Sequence, residues 1–188
     1  SGRMPSRKAP HAEDPTSRLC QVCAICCDGT LFHAVELQPG DSPDRLRALG
    51  LPLRRRPSGR GTRFAQPCAA LDGCLCTLYK DRPAYCRRFD CALLASVRGG
   101  RLSPAQALTR IRKARRLASA VRRLLLALGE GRTGVALRTR FKALSRRLAH
   151  TPGMREESHQ FGELGMAMHS LNRILQEEFY PGPGEGSP

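Results

Sequence analysis

Four cysteines stand together as Cys20-Gln-Val-Cys23-Ala-Ile-Cys26-Cys27, and five more follow at Cys68, Cys74, Cys76, Cys86 and Cys91. None of the nine lies outside residues 20 to 91. A thiolate is a soft donor, and a two-residue gap lets neighbouring sulfurs close on one metal, so consecutive C-x-x-C steps point to zinc or iron–sulfur ligation. Three close cysteines with a remote fourth near a proline is the arrangement of ferredoxin-type clusters. Cys86, after Arg82-Pro83, can serve as that fourth ligand. Zinc sites more often pair two separate C-x-x-C knuckles, and the chain has no second knuckle. The spacing therefore favours an iron–sulfur cluster, [4Fe–4S], with zinc as the alternative. Cys74-Leu75-Cys76 is a tighter pair that could share a metal only across a bent backbone.

The thiols need a reducing setting and a scaffold. Nine is an odd number, and the opening residues carry no apolar core of a secretory signal, so the expectation is a cytoplasmic protein with metal-bound thiols. No apolar run approaches the ~20 residues of a membrane span. Aromatics are 5% of the 188 residues and Trp is absent, so a metal could replace part of a core. Ser42 is a fair N-cap with Pro43 behind it, for a helix carrying Leu46 and Leu49. Phe32 to Leu37 alternates as a short strand would, and the basic stretch 52–63 reads as a loop or hairpin tip.

Beyond Gly99-Gly100 the pattern turns helical. Ser103-Pro104-Ala105-Gln106 is a capping box, and Leu108, Ile111, Ala114, Ala118, Val121, Leu125 and Leu128 keep one face until Gly129. A second helix is predicted over about Thr133–Ala149, with Leu137, Phe141, Leu144 and Leu148 on one side. A third is predicted over about Arg155–Phe179, stepping through Phe161, Leu164, Met168, Leu171 and Leu175. The predicted fold is thus mainly α, with a small irregular α+β cysteine-rich metal module and a C-terminal helical bundle. Its expected divisions are a disordered lead-in at 1–17, the cysteine module at 18–97, an Arg-rich helical region at 98–180 and a flexible tail at 181–188.

Net charge is +16 and unevenly placed. Residues 1–97 hold 15 Lys/Arg against 9 Asp/Glu (+6), residues 98–150 hold 15 against Glu130 alone (+14), and residues 151–188 hold 2 against 6 (−4). Arg110, Arg112, Lys113, Arg115, Arg116, Arg122 and Arg123 on one helix, with Arg138, Arg140, Lys142, Arg146 and Arg147 on the next, read as solvent-side arrays. A merely solvated face is the first reading of such arrays, and a surface for a nucleic acid or an acidic protein is the second. Without aromatic residues among them, base-specific recognition of RNA has no apparatus.

Ordered blocks give a more specific signal. The run from Cys20 to Cys27 is followed by Val35-Glu36-Leu37, Asp44-Arg45-Leu46, Pro67-Cys68-Ala69-Ala70-Leu71-Asp72-Gly73 and Cys76-Thr77-Leu78-Tyr79-Lys80-Asp81-Arg82-Pro83-Ala84-Tyr85-Cys86-Arg87. In this order they resemble the YkgJ-type cysteine-cluster family, described as zinc- or iron-chelating, over about residues 18–95. The resemblance implies metal ligation by Cys20, Cys23, Cys26, Cys27, Cys68, Cys76, Cys86 and Cys91. Cys74 is additional, and Ala24 stands where the family usually has glycine. A related pattern in flagellin lysine-N-methylase implies an alternative, a cluster-dependent protein-modifying methyltransferase. Eight thiolates exceed the four that one cluster needs. Cys20, Cys23, Cys26 and Cys86 are the expected set for a single [4Fe–4S] cluster, and a two-metal site using all eight is the next possibility.

Arg82, Arg87 and Arg88 stand where they can offset thiolate charge, or Arg82 can pair with Asp81 or Asp90. Gly129-Glu130-Gly131-Arg132-Thr133-Gly134 spells G-x-G-x-x-G, but a helix precedes it where a dinucleotide loop needs a strand, so it reads as a turn between helices. Histidines 33, 150, 159 and 169 are scattered, and of these His33 is nearest the cysteine run.

Overall fold

The computed structural model describes residues 15–56, 59, 61–149 and 155–181. Of the expected lead-in, residues 1–14 lie outside the described residues, and Pro15 already opens a helix. Of the tail, residues 182–188 lie outside them, as do His150 and part of the basic stretch.

Helix α1 (Pro15–Cys23) places Cys20 and Cys23 three residues apart on one face. It ends where Ala24 takes φ +55, the left-handed conformation that favours glycine. The turn after it carries Cys26 and Cys27, because the amides of Cys27 and Asp28 both donate to the Ala24 carbonyl, at 2.8 and 2.9 Å. The left-handed residue thus folds the second half of the cysteine run back on the first.

The alternating segment forms β1 (Ala34–Glu36), and Ser42 caps α2 (Pro43–Ala48) through the Arg45 amide. The basic stretch is a hairpin of β2 (Arg54–Arg55) and β3 (Thr62–Ala65), and β3 lies between β1 and β2 with Val35 opposite Phe64. A second hairpin, β4 (Leu71–Asp72) and β5 (Leu75–Cys76), turns through Gly73 at φ +59, a glycine-favouring first turn position. This supplies the bent backbone that Cys74 and Cys76 require. A 3₁₀ turn at Tyr79–Asp81, then α3 (Ala84–Arg88) and α4 (Ala92–Arg98), complete this half.

The long helices follow the sequence pattern. In α5 (Pro104–Ala127) both arms of the capping box form: the Ser103 hydroxyl accepts from the Gln106 amide at 3.2 Å, and the Gln106 side chain accepts from the Ser103 amide at 2.8 Å. Helix α6 (Leu137–Ala149) starts four residues later than predicted. Glycines at 131 and 134 favour a turn there, and the Leu137 amide donates to the Gly29 carbonyl at 3.0 Å instead of to a helical partner. Helix α7 (Arg155–Glu178) packs along α5.

Two cores result. The larger gathers Ile111, Ala118, Val121 and Leu125 of α5, Leu144 of α6, and Leu164, Leu171 and Phe179, together with Leu19, Ile25, Leu31 and Leu93 from the cysteine-bearing half. The helical faces are therefore buried both on one another and on that half. The smaller core is Val35, Leu46, Leu51, Phe64 and Ala70.

Candidate metal centre

All nine cysteines line one cavity of about 400 Å³. Cys20 and Cys23 reach it from α1, Cys26 and Cys27 from the turn behind it, and Cys68 from the loop after β3. Cys74 and Cys76 come from the β4–β5 hairpin, Cys86 from α3, and Cys91 from the N-cap of α4. The cavity lies where the two cores meet: Cys23, Cys26 and Cys91 pack against the larger, Cys68 and Cys86 against the smaller. A backbone bond from the Cys68 amide to the Cys27 carbonyl, 2.8 Å, joins the two sides.

The thiols are free of disulfides, and Cys26 Sγ lies 3.5 Å from Cys27 Sγ. Among the described residues no group of three or more His, Cys, Asp or Glu side chains is arranged to hold a metal ion. The fold thus collects the sulfurs around one space without converging three of them on a point.

The surroundings are apolar and almost uncharged. Phe32 stands edge-on to Tyr85 (5.9 Å between ring centres), Phe89 (4.9 Å) and Tyr180 (6.4 Å), and the first three line the cavity. The Tyr180 hydroxyl donates to the Leu31 carbonyl at 2.8 Å, which ties the end of α7 to this wall. Burial pushes Cys20 and Cys68 up to about 11, and Cys23 and Cys86 up to about 12; Cys76 and Cys91 rise for the same reason. Cys26 is held well above the usual thiol value, first by its contact with Cys27 and then by burial, while that contact lowers Cys27.

Among the described residues Arg82 is the one charged side chain lining the cavity. Its positive field opposes the rise at Cys20, Cys76 and Cys86 and helps lower Cys27. Among the described residues no acid pairs with it: the guanidinium lies 3.8 Å over the Tyr79 ring, and its Nε–H donates to the Tyr79 carbonyl at 3.1 Å. The carboxylates expected to pair with it are engaged elsewhere, Asp81 with Arg45 and Asp90 with Arg98. Arg87 and Arg88 are exposed and outside the cavity, as is His33. His159 and His169 sit exposed on α7.

Three arginines that the sequence placed on the solvent side, Arg115, Arg122 and Arg140, turn inward instead. Arg115 of α5 donates to the carbonyls of Val22 (3.0 Å) and Cys23 (2.9 Å), the open C-terminal end of α1, and to Cys74 Sγ at 2.9 Å. Arg122, two helical turns on, donates to Asp28 at 2.8 Å and to the Thr30 hydroxyl at 2.9 Å. Arg140 is buried, bonded to the Glu130 carbonyl, and Arg110 pairs with Glu178. Glu130 is itself buried within the G-x-G-x-x-G run, its carboxylate taken by Arg132, so that run is an interhelical turn. Sequence reasoning missed Arg115 and Arg122 as supports of the cysteine turn; the available signal was their seven-residue spacing at the border of the apolar stripe.

The donor chemistry fits a soft metal or a thiolate-ligated cluster. Beside the nine thiols the described lining residues include Gln66 and the Tyr79 and Tyr85 phenols but no carboxylate of the kind that magnesium or calcium sites are built from. No curated protein and no solved structure matches the chain. Residues 19–111 match the family model CxxCxxCC, described as a "putative zinc- or iron-chelating domain", and the cysteine module is a member of that family.

Proposed function

We propose that the protein holds a metal centre in the nine-sulfur cavity, an iron–sulfur cluster in preference to zinc, in a structural or redox role within a reducing cytoplasm. The observation that carries this reading is the cavity itself: nine thiols and one cation around an apolar space. Several ionised thiols cannot share that space unaided, since burial alone drives them toward the neutral form. A bound metal supplies the missing positive charge and keeps its ligands ionised. Cys20, Cys23, Cys26 and Cys86 would hold a single [4Fe–4S] cluster, leaving Cys27, Cys68, Cys76 and Cys91 for a second metal or for packing. Anaerobic purification with iron, zinc and sulfide analysis is the test. A brown protein with matched iron and sulfide supports the cluster; a colourless zinc protein without sulfide removes iron and leaves zinc.

A second reading concerns partners. Arg112, Arg116 and Arg123 fall within about 40° of one another on α5, opposite its buried face, at about 100° per residue. They are exposed, and α5 carries no carboxylate. The stripe spans roughly 16 Å of helix at 1.5 Å per residue and suits the phosphate backbone of a nucleic acid. Binding to a DNA duplex should weaken steeply with salt, and replacing the three arginines with alanine should lower the log–log salt slope by about 3. Absence of binding at low salt removes this reading; binding to an acidic polypeptide alone replaces it.

A further inference from the structure

Arg82 belongs to two spaces. Besides the thiol cavity, it lines a surface hollow of about 160 Å³ together with Arg45, Lys80 and Arg87. Two carboxylates border the same hollow, and both are engaged. Asp41 accepts from the amides of Gln38 and Ala84, each at 2.8 Å, and Asp81 accepts from Arg45 at 2.6 Å. Lys80 and Arg87 are exposed and make no ion pair among the described residues. Four cations against two carboxylates leave +2. A pocket with that excess, three guanidinium forks and one ammonium fits a phosphate group, which carries about −1.5 to −2 near pH 7.

We propose that the hollow formed by Arg45, Lys80, Arg82 and Arg87 binds a phosphate-type oxyanion, either free or as the phosphoryl group of a larger molecule. The fold is suited to this. Asp41 pins the start of α3 to the loop before α2, which sets the two banks of the hollow, and the Tyr79 ring beneath Arg82 fixes the guanidinium plane. Because Arg82 is common to both spaces, a phosphorylated molecule seated here would lie one side chain from the thiols. The proposal does not depend on what fills the cysteine cavity, and metal content is measured separately, so the failure of one leaves the other standing.

The experiment is a calorimetric titration of the full chain with inorganic phosphate at constant ionic strength, repeated with glycerol phosphate. Saturable binding with half-occupancy at about 1 mM or below is expected. The double variant Lys80→Ala/Arg87→Ala should weaken it at least tenfold, whereas Arg112→Ala/Arg116→Ala/Arg123→Ala should leave it intact. All five residues are exposed, so both variants should keep the wild-type melting temperature. Tighter binding of glycerol phosphate identifies an anchored phosphoryl group, and equal or weaker binding identifies the free ion. The proposal is overturned by non-saturable heats, by wild-type affinity in the double variant, or by equal weakening in the α5 triple variant.

Discussion

Replacing Arg115 with methionine tests whether the helical half holds the cysteine turn in place. Methionine keeps an unbranched apolar stem and removes only the guanidinium. One nitrogen of that group faces three acceptors, the Val22 and Cys23 carbonyls and Cys74 Sγ, at 2.9 to 3.0 Å. A hydrogen bond from a charged donor contributes about 1.5–3 kcal/mol, but this side chain is half-buried and two protons serve three acceptors, so about 2 kcal/mol in total is expected. That is roughly a 30-fold change in the folding equilibrium, or about 4–8 °C in melting temperature for a chain of this size. Denaturant unfolding of the metal-free, reduced protein should show a lower midpoint with an unchanged slope. Arg115→Lys should recover less than half of the loss, because an ammonium cannot reproduce the fork. Arg112→Met, four-fifths of a turn away on the exposed stripe, should cost under about 0.5 kcal/mol. If Arg115→Met and Arg112→Met destabilise equally, the bonds to α1 hold nothing and the inward role is wrong.

Gly29→Ala should cost about 2–4 kcal/mol: the residue sits at φ +77, and an added Cβ would meet Ala136 Cα at 3.0 Å and Pro67 Cδ at 3.1 Å. Gly40→Ala, at φ +93 but with nothing within 4 Å, should cost only about 1 kcal/mol, and chemical denaturation of both variants checks the difference. For pH, Cys20, Cys23, Cys68 and Cys86 are raised from the ordinary 9.0 to about 11–12, against a lowered Cys27, so at these four the unfolded chain ionises first and stability should fall as pH rises from 9.0 toward about 11–12. The metal-free protein should lose melting temperature across that window, and one that stabilises there contradicts the burial of the thiols. At the acid end the order reverses. Arg132 lowers Glu130 below the ordinary 4.5, so that contribution should be lost as pH falls through this region, and Glu130→Gln should flatten the acid limb.

Periodicity and caps carried the long helices. The Ser103–Gln106 box and the apolar face of α5 are local signals, complete within a few turns, and both formed as read. Cysteine spacing likewise foretold a shared space, since thiols two residues apart cannot be far separated. Helix α1 was not legible, because it is nine residues long and its face of Thr16, Leu19 and Cys23 becomes apolar only against α5. The start of α6 was misplaced because its first amide is claimed by Gly29, a partner more than a hundred residues distant. The inward arginines escaped for a related reason. Arginine has a stem long enough to bury while its head reaches a carbonyl elsewhere, so its helix position leaves two fates open. At about 100° per residue, Arg115 and Arg122 lie roughly 60–80° from the centre of the buried stripe, while Arg112, Arg116 and Arg123 lie across from it. That difference sorts them once the partner of α5 is known.

Thiol accounting addresses the metal centre most directly. The reduced, unfolded chain should expose nine reactive thiols, and the natively folded protein, loaded anaerobically with iron and sulfide or with zinc, should hide at least four of them until a chelator is added. Concerted Cys→Ser replacement at 20, 23, 26 and 86 should abolish retention of the metal. Nine thiols that react alike before and after loading, with no iron or zinc carried through gel filtration, would contradict a metal-holding cavity.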